Sequence, residues 1–144
     1  MPQTYILEHT IQIQPAFHDL DPMEVVWHGN YFKYFERARC ALLAEIDYDY
    51  PGMRDSGYAW PVIECKCRFI KPIIYNMILS VFAGLVEYEN RMKIDYRIVD
   101  AETGDKICKG YSSQVALDMK TKEMCFVSPD ALVQRLRKRG LISE

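Results

Sequence analysis

The chain lacks the sequence signatures of several common protein classes. No window approaches about eighteen continuous apolar residues, so we expect no membrane-spanning helix. The first residues, MPQTYILEHTIQIQ, contain no basic region and no long apolar core, so we expect no signal peptide. Neither G-x-G-x-x-G nor a P-loop occurs, and neither does the G-x-S-x-G of serine hydrolases. These absences argue against phosphate-binding loops of those kinds and against a serine nucleophile elbow.

Excess charge and a regular cysteine framework are also missing. The formal net charge is −2, so we expect neither a nucleic acid nor a membrane partner. The odd count of 5 cysteines favours a reducing compartment and a cytoplasmic location. Two of them form a C-x-C pair, Cys65 and Cys67, whose side chains would share one face of a strand as small buried apolar groups.

The composition that is present predicts a compact α+β protein. The chain has 144 residues, 49% hydrophobic and 26% charged, which is typical of one domain. The first half predicts a strand over 4–17, bent or bulged near its middle, a loop over 19–29 and a helix over 31–47 with Asn30 as its N-cap. Residues 48–57 contain proline and glycine and predict a loop.

The second half predicts an antiparallel sheet. Alternating or continuous apolar residues indicate a half-buried strand over 62–70, a central strand over 77–86, and strands over 91–99 and 106–119. A hairpin turn over 100–105 contains Gly104, and 129–139 predicts a terminal helix. A single sheet on one long helix leaves faces and edges open, so we expect a homo-oligomer.

The segment from Phe17 to Arg39, FHDLDPMEVVWHGNYFKYFERAR, carries the candidate chemistry. Asp19 and Asp21 precede a helix start whose free N–H groups could stabilise a developing negative charge. An acidic, solvated loop is the simpler interpretation of such a pair. His28 could act as a base, a metal ligand or a structural side chain, and its backbone N–H could act as an oxyanion donor. The spacing of the local His and Asp residues matches no metal-ligand pattern, so we expect no metal.

Other charged residues admit two interpretations each. Glu36 and Arg39 are spaced for a helix-surface pair, although Glu36 could also face the site. Arg68 and Lys71 could bind an anionic ligand or be ordinary charge at a strand edge. The same holds for the basic residues of the terminal helix.

The segment resembles the start of hotdog-fold acyl-CoA thioesterases of the 4-hydroxybenzoyl-CoA thioesterase type. Their pattern is F-x-D-x-D-x-x-x-x-V-x-H-x-x-Y-x-x-[WYF]-x-E-x-A-R. The matching residues are Phe17, Asp19, Asp21, Val26, His28, Tyr31, Phe35 (shifted by one), Glu36, Ala38 and Arg39. Later parts are also similar: Arg68-Phe69 with Pro72, Gly104 before a strand ending at Asp118, and Ser128-Pro129 before a short helix.

The resemblance implies a single hotdog domain over 1–144, with a curved antiparallel sheet around the long helix. It implies hydrolysis of an acyl-CoA or acyl-carrier-protein thioester in a homodimer or homotetramer, without a cofactor. Asp21 would be the catalytic carboxylate, and the N–H groups of His28 and Gly29 would polarise the thioester carbonyl. The residues expected at the substrate are Glu24, Tyr31, Arg68 and Lys71.

Three positions depart from the family pattern. Leu20 replaces Thr or Cys, Glu24 replaces Gly, and Tyr75 stands near a frequent Asp. Glu24 adds charge and restricts φ beside the acyl site. Two alternatives stay open: an acyl-thioester hydratase or dehydratase using His28 with Glu36, and a non-catalytic acyl-thioester-binding module.

Overall fold

A computed structural model describes residues 4–143 and contains three α-helices, one short 3-10 helix (Phe17–Asp19) and seven strands in that range. The helices are α1 (Asn30–Ala44), α2 (Tyr50–Ser56) and α3 (Asp130–Lys138). The strands are β1 (Leu7–Ile13), β2 (Tyr58–Ala59), β3 (Val62–Phe69), β4 (Leu79–Glu87), β5 (Met92–Asp100), β6 (Lys106–Gln114) and β7 (Leu117–Asp118). Five strands form one antiparallel sheet in the order β1-β4-β5-β6-β3, and β2 pairs with β7. None of the described helices is long and apolar enough to cross a membrane.

The core lies between α1 and one face of the sheet. Ala38 and Leu42 of α1 are fully buried, and the ring of Phe35 stacks on Tyr96 of β5 with centroids 4.4 Å apart. Gly110 of β6 allows this close approach, because a Cβ there would overlap the carbonyl oxygen of Lys66 and lie 2.9 Å from the Phe35 ring. The α+β arrangement predicted from the sequence is confirmed.

Several predicted boundaries are wrong. The predicted loop 48–57 contains α2, because the Asp49 side chain accepts a hydrogen bond from the Tyr50 N–H and Gly57 ends the helix at φ +86°. The predicted strand 106–119 stops at Gln114, and the chain then pairs elsewhere as β7. The first strand is shorter than predicted and pairs with β4 in continuous register, without a bulge.

The N-cap prediction is also wrong by one position. Gly29 precedes the helix without a side-chain cap, and Asn30 is already helical. The Asn30 side chain instead donates to the carbonyl oxygen of Asp19 at 2.9 Å. This hydrogen bond ties the start of α1 to the preceding loop.

Strand β3 lies at the edge of the sheet and is exposed on both faces. The prediction of a half-buried strand therefore does not hold for the single chain. Cys65 is exposed and Cys67 is half-buried, so the expected burial of this pair is wrong for Cys65. An edge strand carrying the exposed apolar residues Ile63 and Phe69 is typical of a surface that another chain covers.

Candidate active site

A tight turn fixes the position of Asp21. An isolated β-bridge pairs Leu20 with Val26, and the Asp21 N–H donates to the carbonyl of Val25 at 2.8 Å. Within the turn the Glu24 N–H donates to the Asp21 carbonyl at 2.9 Å. The Asp21 Oδ1 accepts the N–H of Met23 at 2.8 Å. Its Oδ2 has no hydrogen-bond partner among residues 4–143, so one carboxylate oxygen remains available to a substrate.

Glu24 occupies the left-handed position of this turn. Its φ is +63°, a conformation that glycine adopts without steric cost and other residues do not. The side chain is exposed and does not line the cavity beside Asp21. The positive φ at this position therefore explains why the family pattern has glycine where this chain has Glu24.

The buried Asp19 carboxylate anchors the loop that carries Asp21. It is 3% exposed, and its carboxylate accepts hydrogen bonds from the Tyr34 hydroxyl at 2.7 Å, the Ala16 N–H at 3.1 Å and the Lys33 ammonium. Burial disfavours the charged form, but the hydrogen bonds from Lys33, Tyr34 and Ala16 outweigh it and hold the pKa of Asp19 below its ordinary value. Asp19 is therefore not a solvated loop acid, and its contacts link the loop to the first turn of α1.

The N-terminus of α1 presents unused backbone donors. The Asn30 N–H bonds to the Trp27 carbonyl, and the Tyr31 N–H bonds to the His28 carbonyl. In the described part of the chain, the N–H groups of His28 and Gly29 have no acceptor. A Cβ on Gly29 would overlap the Trp27 ring, so the position of this ring requires glycine at residue 29. The backbone conformation does not require it, because φ is −63°.

An open groove of about 320 Å³ brings most of the predicted residues together. Four of the predicted residues line it, namely Asp21, His28, Tyr31 and Lys71. The other lining residues are Val25, Val26, Phe69, Ile70 and Pro72. A carboxylate at one wall and the start of a helix at another can attack and polarise the same carbonyl group.

Aromatic side chains form one side of the groove. The Phe69 ring lies edge-on to Tyr31 and His28, with centroids 4.9 and 6.2 Å away, and Trp27 lies 5.1 Å from His28. Tyr31 is buried, and this burial raises the pKa of its hydroxyl to about 12, so it stays protonated at neutral pH. Neither Phe69 nor Trp27 was predicted to line the site. The alternation of β3 does place Phe69 on the same face as Cys65 and Cys67.

Among the charged residues named from the sequence, Arg68 and Glu36 lie outside the groove. Arg68 points to the opposite face of the sheet, where it lines other hollows. Lys71 lines the groove, but its ammonium pairs with Asp105 at 2.7 Å, which raises the pKa of Lys71. Glu36 is exposed and lies 3.8 Å from Arg39, as the surface-pair interpretation predicts. A His28–Glu36 catalytic pair therefore has no support in the groove.

The sequence of this chain is similar to those of thioesterase-like proteins. The sequence profile of the thioesterase-like superfamily matches residues 15–136. A Bacillus subtilis protein provisionally named acyl-CoA thioesterase YneP is 24% identical over 110 residues, covering 76% of this chain and 80% of the relative. An Aquifex aeolicus protein provisionally named an esterase is 35% identical over 71 residues, covering 49% of this chain. The match spans just over half of that relative, 56% of its length.

Solved structures share the fold. The 1,4-dihydroxy-2-naphthoyl-CoA thioesterase of Synechocystis superposes with a TM-score of 0.81 at 17% identity, covering 90% of this chain and 96% of that one. The DHNA-CoA thioesterase of Staphylococcus aureus gives 0.78 at 26% identity, covering 95% and 97%. A 4-hydroxybenzoyl-CoA thioesterase gives 0.77 at 15% identity, covering 90% and 98%. The hotdog fold expected from the sequence is confirmed. The family match over residues 15–136 supports a thioester hydrolase.

Proposed function

Because the chain belongs to the thioesterase-like superfamily, we propose that it is an acyl-CoA thioesterase that hydrolyses R–CO–S–CoA to a free acid and CoA. The observation that carries the proposal is the shared groove of Asp21 and His28, with a free carboxylate oxygen and unused N–H groups at the start of α1. The CoA-thioester hydrolases among the structural neighbours support the same substrate class.

In the proposed mechanism the N–H groups of His28 and Gly29 bind the carbonyl oxygen as negative charge develops. One such donor is typically worth about 2.7–4 kcal/mol of transition-state stabilisation. The positive end of the α1 dipole adds to this effect. The imidazole of His28 has no chemical role in the mechanism and packs against the Phe69 ring.

Asp21 can act in two ways. In direct attack, its oxygen bonds to the carbonyl carbon, the C–S bond breaks, CoA leaves as a thiolate, and water then hydrolyses the mixed anhydride. In general-base catalysis, Asp21 takes a proton from the water that attacks the carbonyl. A single turnover in isotopically labelled water tests for direct attack. An unlabelled product acid with label in Asp21 would establish it, because this outcome requires a mixed anhydride that water opens at the Asp21 carbonyl carbon.

The substrate contacts follow from the lining of the groove. We propose that Tyr31 and Phe69 enclose the thioester group of the substrate. We also propose that Lys71 leaves its ion pair with Asp105 to bind an anionic part of the substrate. Glu24 lies on the exposed turn and would influence substrate entry. Arg68 would act only on a part of the substrate that reaches the outer face of the sheet.

We propose that the protein works as a homodimer in which two copies of β3 pair edge to edge. The support is an edge strand exposed on both faces, with Ile63 and Phe69 half-exposed at 52% and 48%. A two-fold axis near Cys65 and Lys66 would place the Val62 end of one strand beside the Phe69 end of its partner. The partner would then complete the groove, and a tetramer would be a pair of such dimers.

We also propose a cytoplasmic location. The support is the odd count of 5 cysteines with no regular framework, which suits a reducing compartment. The proposed substrate, an acyl-CoA, requires no secretion.

The Asp21→Asn variant tests the function. The carboxylate becomes an amide that can neither attack nor accept a proton, so we expect thiol release from an acyl-CoA panel to fall by at least about 100-fold, the usual contribution of such a group. Unchanged thermal stability would show that the variant folds. The exposed Asp55→Asn provides a matched control for charge. Near-parental turnover by Asp21→Asn would disprove the mechanism, and loss of enoyl absorbance without thiol release would indicate a hydratase.

A further inference from the structure

Three cations stand directly opposite one another on the outer face of the sheet. The strand register pairs Arg68 of β3 with Lys109 of β6, and Lys109 with Arg97 of β5. We call these three residues the outer cation row. Opposed residues on neighbouring strands have Cβ atoms about 4.5–5.5 Å apart, and like charges at that spacing destabilise a sheet. The row therefore carries an electrostatic cost within a chain whose net charge is −2.

The protein does not neutralise the row itself. Among residues 4–143, none of the three cations lies within ion-pair distance of a carboxylate. Asp95 lies in the adjoining hollow and accepts a hydrogen bond from the Tyr5 hydroxyl at 3.2 Å. The Arg97 guanidinium carbon lies 4.0 Å from the centroid of the Phe82 ring, a cation–π contact on the outer face of the sheet.

The row lines two adjoining hollows of about 420 and 650 Å³. Arg68, Arg97 and Lys109 border both, Lys66 adds a cation to the first and Lys106 adds one to the second. The two hollows together contain five cations and one carboxylate, that of Asp95, so positive charge is in excess. Such a concave surface fits an anion that carries more than one phosphate, since arginine binds phosphate through paired N–H groups.

The row is also continuous with the proposed active-site groove. Phe69 lines the groove and Arg68, the preceding residue, faces the opposite side of the same strand. Ile70 lines both the groove and the larger hollow, so it marks the route around the end of β3. Edge-to-edge pairing of β3 would leave this outer face open.

We propose that the outer cation row binds the 3′-phosphate and diphosphate of the CoA nucleotide while the thioester lies at Asp21. This inference rests on the proposed acyl-CoA substrate. It makes Arg68 a substrate contact from the far face of the sheet. It also favours free CoA thioesters over acyl-carrier-protein thioesters, which have no nucleotide.

The test combines binding with kinetics. Adenosine 3′,5′-bisphosphate is titrated calorimetrically into the parent, into the double variant Arg68→Gln/Lys109→Gln, and into the control Lys120→Gln/Lys138→Gln. The control removes the same charge from exposed positions outside the row. We expect the parent and the control to bind the nucleotide, and the double variant to bind it at least about tenfold more weakly. The dissociation constant of the parent should rise with salt, since the contacts are ionic.

In the kinetic arm the substrates are an acyl-CoA and the matching acyl-pantetheine. We expect kcat/KM of the double variant to fall about tenfold for acyl-CoA and to stay unchanged for acyl-pantetheine. An equal loss on both substrates, or equal nucleotide binding by parent and double variant, would overturn the inference. Failure of the parent to hydrolyse either thioester would instead disprove the proposed function, and the titration would still decide whether the row binds the nucleotide.

Discussion

The buried Asp19 carboxylate allows a quantitative prediction about stability. In Asp19→Asn a neutral amide with one acceptor oxygen replaces a carboxylate that accepts from Tyr34, Ala16 and Lys33. The new NH₂ group must then face a donor. Hydrogen bonds to a charged group contribute about 1.5–3 kcal/mol each, and Lys33, with a side chain 44% exposed, contributes at the low end. We expect the free energy of unfolding to fall by about 3 kcal/mol near neutral pH.

The pH dependence of this loss follows from the pKa of Asp19. Its pKa is lower in the folded protein than its ordinary value of 3.8. The stabilisation is therefore present at pH values above that ordinary value and is lost as the pH falls through the folded pKa. The difference between the parent and Asp19→Asn should be full at pH 7 and should shrink below about pH 4, where the parent carboxylate also becomes neutral.

Urea denaturation at a series of pH values, with one fixed protein concentration, measures both quantities. The control is Asp55→Asn, whose side chain is 73% exposed and should change stability by less than about 0.5 kcal/mol. Equal stability of parent and Asp19→Asn at pH 7, or a difference that does not depend on pH, would refute the assigned role of Asp19.

Three further variants test the turn, the helix start and the subunit edge. Glu24→Gly should raise the free energy of unfolding by about 0.5–1 kcal/mol because φ is +63°, whereas Glu24→Gln should not; equal effects would mean that the charge matters instead. Gly29→Ala should lower kcat about tenfold or more with a shift in tryptophan fluorescence, since its Cβ displaces the Trp27 ring, and unchanged kinetics would contradict this packing. If the proposed dimer forms through β3, Cys65→Asp should sediment as a monomer and lose thioesterase activity, unlike the exposed Thr121→Asp, and a Cys65→Asp dimer would disprove pairing through β3.

The sequence predicted the elements whose signals are local. The periodicity of 31–47 identified α1 and the alternation of 91–99 identified β5, because both patterns reflect burial of one face. A near-continuous apolar run identified β4. Helix α2 was missed although its signals were present, since Asp49, Pro51 and Gly57 are cap and first-turn residues that also occur in loops. The end of β6 at Gln114 was not predictable from its apolar run, which continues into β7.

For the candidate site, the segment 17–39 by itself determined the pair of acids, the helix start and the family likeness. The resemblance already favoured Asp21 over Asp19, and only the tertiary structure gives a physical reason for the difference. Asp19 is buried against Tyr34 of the next helix, while Asp21 keeps a free oxygen in a groove that Phe69 completes from a distant strand. The same holds for Arg68, whose opposed cations come from other strands. Sequence spacing determines periodicity and caps, but contacts between distant segments, and hence burial and electrostatics, depend on how the strands and helices pack.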